Sequence, residues 1–165
     1  MSEEPDDDDH PRHVDLLRLL DRLDFPRRYY AYCSAHQKRG PKIPLSLQTP
    51  ALAATGRTFR YDKREKFFAW RDSKAPKGCV LGLNVSLELA AVEWVLTFKT
   101  PEGHVGSTLP YLAMETKRLA DPAYKHDPPY PVPSVENADE LATVLDEGFA
   151  IYQLIADAIG SVIWT

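Results

Sequence analysis

A chain of 165 residues, 44% hydrophobic and 27% charged, has the make-up of one globular domain able to bury about two-thirds of its unfolded surface. No apolar run approaches the roughly 20 residues that span a bilayer, the acidic start lacks a basic and apolar leader, and Cys33 and Cys79 are too few for a disulfide framework; a cytoplasmic protein without a membrane segment is expected. The net charge of −4 conceals segregation. Residues 1–25 hold nine acids against three bases, residues 26–77 thirteen bases against three acids, and residues 78–165 twelve acids against four bases. This patterning predicts a basic face and an acidic face, which steer charged partners.

In chain order, residues 1–12 read as a disordered acidic tail, because almost nothing in "MSEEPDDDDH" can offset its ordering entropy by burial. A single domain over residues 13–165 follows. Val14, Leu16, Leu17, Leu20 and Leu23 recur at helical spacing, so "VDLLRLLDRLDF" reads as an amphipathic helix that Pro26 stops. "RRYYAYCSAH" (Arg27 to His36) is aromatic and alternating and reads as a strand. "GPKIPLSLQTPALAATG", with three prolines, is a surface connection unable to form a central strand or a long helix. "RTFRYDKREKFFAWRD" reads as two short strands, Thr58–Tyr61 and Phe67–Arg71, around a charged turn, with a short helix over 62–69 as the rival.

The clearest pattern is a hairpin. Leu81, Leu83, Val85 and Leu87 alternate with small or polar residues, as do Val92, Trp94, Leu96 and Phe98, giving two half-buried antiparallel strands joined at Leu89–Ala91. "TPEG" is a turn, Val105 starts a further short pairing, and "LPYLAMETKRLA" is a short helix with proline in its first turn. "DPAYKHDPPYPVPS", with five prolines in fourteen residues, is a stiff extended connector. The last helix follows a capping-box pattern at Asn137 and Glu140 and carries Leu141, Val144, Leu145, Phe149, Tyr152, Ile155 and Ile159 on one face. The sum is an α+β fold: an antiparallel sheet of four to six strands packed by N-terminal and long C-terminal helices.

Cys33 and His36 invite a catalytic or metal reading. In an extended segment they point to opposite sides, Cys33 inward with Ala31 and Ala35, and Tyr30, Tyr32 and His36 outward; a dyad or zinc site needs both on one centre. Glu88 and Glu93 flank the hairpin turn as solvated charges rather than a hydrolytic pair. No nucleophile elbow, P-loop or dinucleotide fingerprint is present. No catalytic, metal or cofactor residue is therefore assigned. The candidates for partner contact are Tyr30, Tyr32, His36, Lys38 and Arg39 after the first helix, Arg60, Arg64 and Lys66 in the basic segment, and Tyr124 and Tyr130 on the proline-rich connector. Tyrosine on a preorganised loop suits recognition at low entropic cost. The segment 57–71 interleaves bases with Phe59, Tyr61, Phe67, Phe68 and Trp70, which fits either core strands with a solvated turn or phosphate contact with base stacking.

The meander "VLGLNVSLELAAVEWVLTFKTPEGHVG", aromatic and charged loops and the missing catalytic set together resemble the small α+β immunity proteins of bacterial polymorphic-toxin systems. The resemblance implies a stoichiometric complex with a cognate protein toxin encoded next to this chain; those families share no motif, so it assigns no residue. A nucleic-acid-binding accessory protein using segment 57–71 is the alternative.

Overall fold

The structure, a computed structural model, describes residues 11–162. Most of the expected acidic tail lies outside these residues, but Pro11 and Arg12 already belong to the first helix, which moves the tail boundary back. Five helices and a five-stranded sheet follow: α1 (Pro11–Arg22), α2 (Phe25–Ala35), α3 (Leu45–Ala53), β1 (Arg60–Asp62), β2 (Phe67–Arg71), β3 (Val80–Ser86), β4 (Glu93–Thr100), β5 (Gly103–His104), α4 (Leu109–Arg118) and α5 (Ala138–Val162). The strands pair antiparallel in chain order. The fold is α+β, as the alternation and helical periods imply.

The expected strand over 27–36 is a helix. Pro26 does not merely stop α1; it sits in the first turn of α2, where its missing N–H costs nothing. Tyr29, Tyr32 and Cys33 then fall on one buried face, while Ala31 and Ala35 are exposed, as a 3.6-residue period requires. β-propensity of the aromatic residues loses to tertiary contacts: the Tyr29 hydroxyl donates to Pro131 O (2.7 Å) and the Tyr32 hydroxyl to Val144 O (2.6 Å). The proline-rich connection also holds a nine-residue helix, α3, that tolerates Pro50 and buries Gln48 and Leu52.

The sheet behaves as its alternation predicts. Register places Tyr61, Phe68, Val85 and Trp94 in one cross-strand row, and Trp70, Leu83 and Leu96 in the next. These side chains turn toward the helices, where Phe149 of α5 meets Trp94, Trp70 and Phe59 edge to face, with ring centroids 5.2, 6.0 and 5.9 Å apart. α5 can come this close because residue 148 is glycine; a Cβ there would overlap the Trp94 indole. All seven residues read as the apolar face of the last helix are buried, and Asn137 Oδ1 accepts from Glu140 N at 3.0 Å. The alternate positions Arg60, Phe67, Arg71, Asn84, Val95 and Lys99 lie on the other side of the sheet and remain partly or fully exposed.

Candidate functional site

A cleft of about 550 Å³ opens between α2 and the irregular segment 121–135, within the range of ligand-sized cavities. Tyr30, Ser34, Gln37 and Arg39 line one wall; His126, Asp127, Pro128, Tyr130 and Val132 line the other, with Cys33 at the base. The Tyr30 ring stacks on His126 with centroids 3.9 Å apart and planes 13° off parallel, and Tyr124 lies beside Tyr30 at 6.5 Å. Tyr124 is itself fixed, with the Lys117 ammonium 5.6 Å from its ring and its carbonyl accepting from Arg118 Nε (3.0 Å).

Main-chain bonds hold the walls. Ser134 N donates to His36 O (2.7 Å) and Gly40 N to Val135 O (2.9 Å), while Val92 N donates to Pro133 O (2.9 Å) and Val135 N to Ala90 O (2.8 Å). Residues 133–135 thus form a strap between the segment after α2 and the β3–β4 connection. Gly40 makes this possible: a Cβ there would stand 2.6 Å from Glu136 C and closer to its carbonyl oxygen. On the far side of the strap a second hollow is lined by Arg39, Glu88, Leu89 and Glu93. Arg39 borders both hollows, and Leu89 (67% exposed) and Tyr130 (47% exposed) are the large apolar groups most open to solvent nearby.

Cys33, deprived of water by burial, has its thiol pushed up to about 12, with a smaller opposing effect from a hydrogen bond with Tyr29; at neutral pH it is a protonated thiol, not a nucleophile. His126 Nδ1 donates to Pro128 O at 2.8 Å, which fixes the ring that Tyr30 stacks on. Burial, then Tyr124, raises the Tyr30 phenol, so it too stays neutral. Tyr130 is likewise raised, mainly by burial, against a bond with Thr108 that lowers it and the Glu93 charge that raises it. Among the described residues no group of three or more His, Cys, Asp or Glu side chains is placed to hold a metal ion.

Four of the sequence candidates, Tyr30, Arg39, Tyr124 and Tyr130, meet in or beside this cleft. Lys38 is exposed between the lining residues Gln37 and Arg39 but is not itself part of the lining. Two candidates are corrected. Tyr32 is buried, accepting from Trp94 Nε1 (3.3 Å), so it supports the core rather than a contact face. His36 does not share a face with Tyr30; its Nε2 bonds Glu147 Oε2 of α5 at 2.7 Å and its Nδ1 is buried without a partner among the described residues. The strand argument that separated Cys33 from His36 does not apply in a helix, where they stand one turn apart; Cys33 bonds with Tyr29 and His36 with Glu147. Arg64 and Lys66 sit in the β1–β2 turn, where Asp62 Oδ1 accepts from Arg64 N and Glu65 N (both 2.9 Å) and Lys66 pairs with Glu88 (3.7 Å). Arg60 lies on the open sheet face. The aromatic partners expected for base stacking are spent elsewhere: Phe59, Tyr61, Phe68 and Trp70 all pack with the core. The sequence pattern does not single out His126 or Asp127, and no local signal could place His126 against a tyrosine 96 positions earlier.

Comparisons with protein-family models, with curated proteins and with solved structures find no match to this chain. Among the described residues no helix is long and apolar enough to cross a membrane.

Proposed function

We propose that the protein is a non-catalytic binding protein of the cytoplasm that neutralises a cognate protein toxin, docking it over the cleft between α2 and segment 121–135. The observation that carries this reading is the preformed cleft itself: it offers aromatic anchors (Tyr30, Tyr130) and both signs of charge (Arg39, Asp127), continues through Arg39 into a hollow with exposed Leu89 and with Glu88 and Glu93, and has walls tied by main-chain hydrogen bonds. A rigid surface of this kind loses little conformational entropy on association, and a few central aromatic and arginine groups dominate affinity.

The test is co-purification with the product of the adjoining gene, followed by calorimetry. A 1:1 complex is expected, weakened about tenfold or more by Tyr130→Ala and by Arg39→Ala, whose side chains reach solvent, so that folding is retained. Absence of a complex, or substrate turnover by the purified chain, overturns the reading.

A further inference from the structure

The large core side chains of the sheet point toward the helices, and on the opposite face Arg60, Phe67, Arg71, Asn84, Val95 and Lys99 keep contact with solvent. Ala69, Gly82 and Thr97 on this face are small and buried, Ala69 opposite Asn84 and Gly82 opposite both Arg71 and Thr97. At one border stand two arginines. Arg60 of β1 pairs across from Ala69, and Arg71 lies two residues further along β2, so the two are diagonal neighbours on one face, about 7–8 Å apart at the backbone. Arg71 is fixed in place: Nη1 donates to Trp70 O (3.0 Å) and to Asn84 Oδ1 (3.1 Å). Arg60 is exposed.

Neither guanidinium has a carboxylate partner among the described residues. The nearest acids in sequence are used elsewhere: Asp62 Oδ1 closes the hairpin turn, and Asp72 Oδ2 accepts from Tyr152. The five acids of α5, a helix without a single basic residue, are on the helical layer. Two like charges held side by side without a counter-ion repel, and the pKa of Arg71 is lowered by burial and then by Arg60. An oxyanion set between them offsets that repulsion and can take charge-assisted bonds from both forks.

We propose that Arg60 and Arg71 form a docking site on the open sheet face for a carboxylate of an acidic protein surface. The site is a discrete pair rather than a basic track along a phosphate backbone, and with Phe59, Tyr61, Phe68 and Trp70 turned inward this face has, among the described residues of the sheet, only half-buried Phe67 to offer a base. These features favour an acidic protein over a nucleic acid. The proposal goes beyond the cleft and does not depend on it.

The experiment is fluorescence anisotropy of the full chain with two probes, a labelled hexaglutamate peptide and a labelled DNA duplex, at low and moderate salt. The peptide is expected to bind, with affinity falling as salt rises. Arg60→Gln/Arg71→Gln should weaken it about tenfold, the loss of two charge-assisted contacts, while Lys63→Gln/Arg64→Gln, which removes the same net charge from the turn, changes it about twofold or less. Arg60→Gln alone, whose side chain makes no hydrogen bond among the described residues, provides a variant whose fold is undisturbed and should give an intermediate loss. Equal weakening by both double variants, no peptide binding, or tighter binding of the duplex overturns the proposal. A toxin complex lost on Tyr130→Ala but kept on Arg60→Gln would leave the two sites separately judged.

Discussion

Gly148→Ala sets two quantities against each other in the middle of α5. An exposed helical glycine costs about 1 kcal/mol relative to alanine, so propensity alone makes the substitution stabilising. The structure opposes this. A Cβ at position 148 would stand 2.6 Å from Trp94 Cε2 and 2.8 Å from Cη2, and nearer still to Cζ2, where optimal carbon contacts lie at about 3.5–4.0 Å. The indole cannot swing aside freely. Trp94 is 1% exposed, its Nε1 donates to the Tyr32 hydroxyl, and that hydroxyl donates to Val144 O, one helical turn before Gly148. Overpacking a core costs about 1–3 kcal/mol, and the pinned indole places this case at the upper end. The net expectation is destabilisation of about 1–2 kcal/mol, or about 2–8 °C in Tm for a chain of this size. Thermal and urea unfolding followed by tryptophan fluorescence measure it. A Gly148→Ala variant as stable as the parent or more so would refute the account of how α5 meets the sheet.

Three further outcomes are expected. Tyr32→Phe removes a hydroxyl that serves both Trp94 Nε1 and Val144 O, leaving a buried indole N–H unpaired; a loss of about 1–3 kcal/mol in urea unfolding is expected, and no loss would mean the network carries nothing. Gly40→Ala, pressing on the Glu136 backbone, should lower Tm by several degrees and loosen the strap, read as faster amide exchange at Ser134 and Val135; unchanged exchange would contradict the tie. The Cys33 thiol, raised from its ordinary 9.0 to about 12 by burial, favours the folded chain while protonated. Its contribution is whole below pH 9 and is lost as pH rises from 9 towards 12, about 4 kcal/mol at full loss. Stability should therefore fall through that window, less steeply in Cys33→Ala, and native Cys33 should resist alkylation at pH 8 until the chain is unfolded.

What can be read along the chain depends on how local the determining contacts are. The hairpin of β3 and β4 is legible because a buried sheet face imposes a period of two, and Leu81 to Phe98 keep it. α5 is legible for the same reason at a period near 3.6. α2 is not: Tyr29, Tyr30 and Tyr32 have strand-like propensity and alternate, and the helix is decided by hydroxyl bonds to Pro131 and Val144, over a hundred residues away. A strand over this segment puts Tyr32 and His36 on the contact side, where the helix does not, while Tyr30, Arg39, Tyr124 and Tyr130 stand out by residue type whichever element carries them. The charge pattern survives folding in part: the β1–β2 hairpin is basic and α5 is acidic, although each block of the sequence spans several elements.

The strap of residues 133–135 is held by peptide N–H and C=O groups, which every residue type provides alike, proline's missing N–H excepted. The frame is therefore indifferent to which side chains hang from it. Lys38, Arg39, Leu89, Asp127 and Tyr130 can each be exchanged without taking away any of those bonds. A recognition surface built this way can change its preferred counterpart one residue at a time, while Tyr29, Tyr32 and Trp94 underneath hold the architecture still. Divergence between lineages should then concentrate at the rim and leave Gly40 and Gly148, where an added Cβ meets the Glu136 backbone or the Trp94 indole, unaltered.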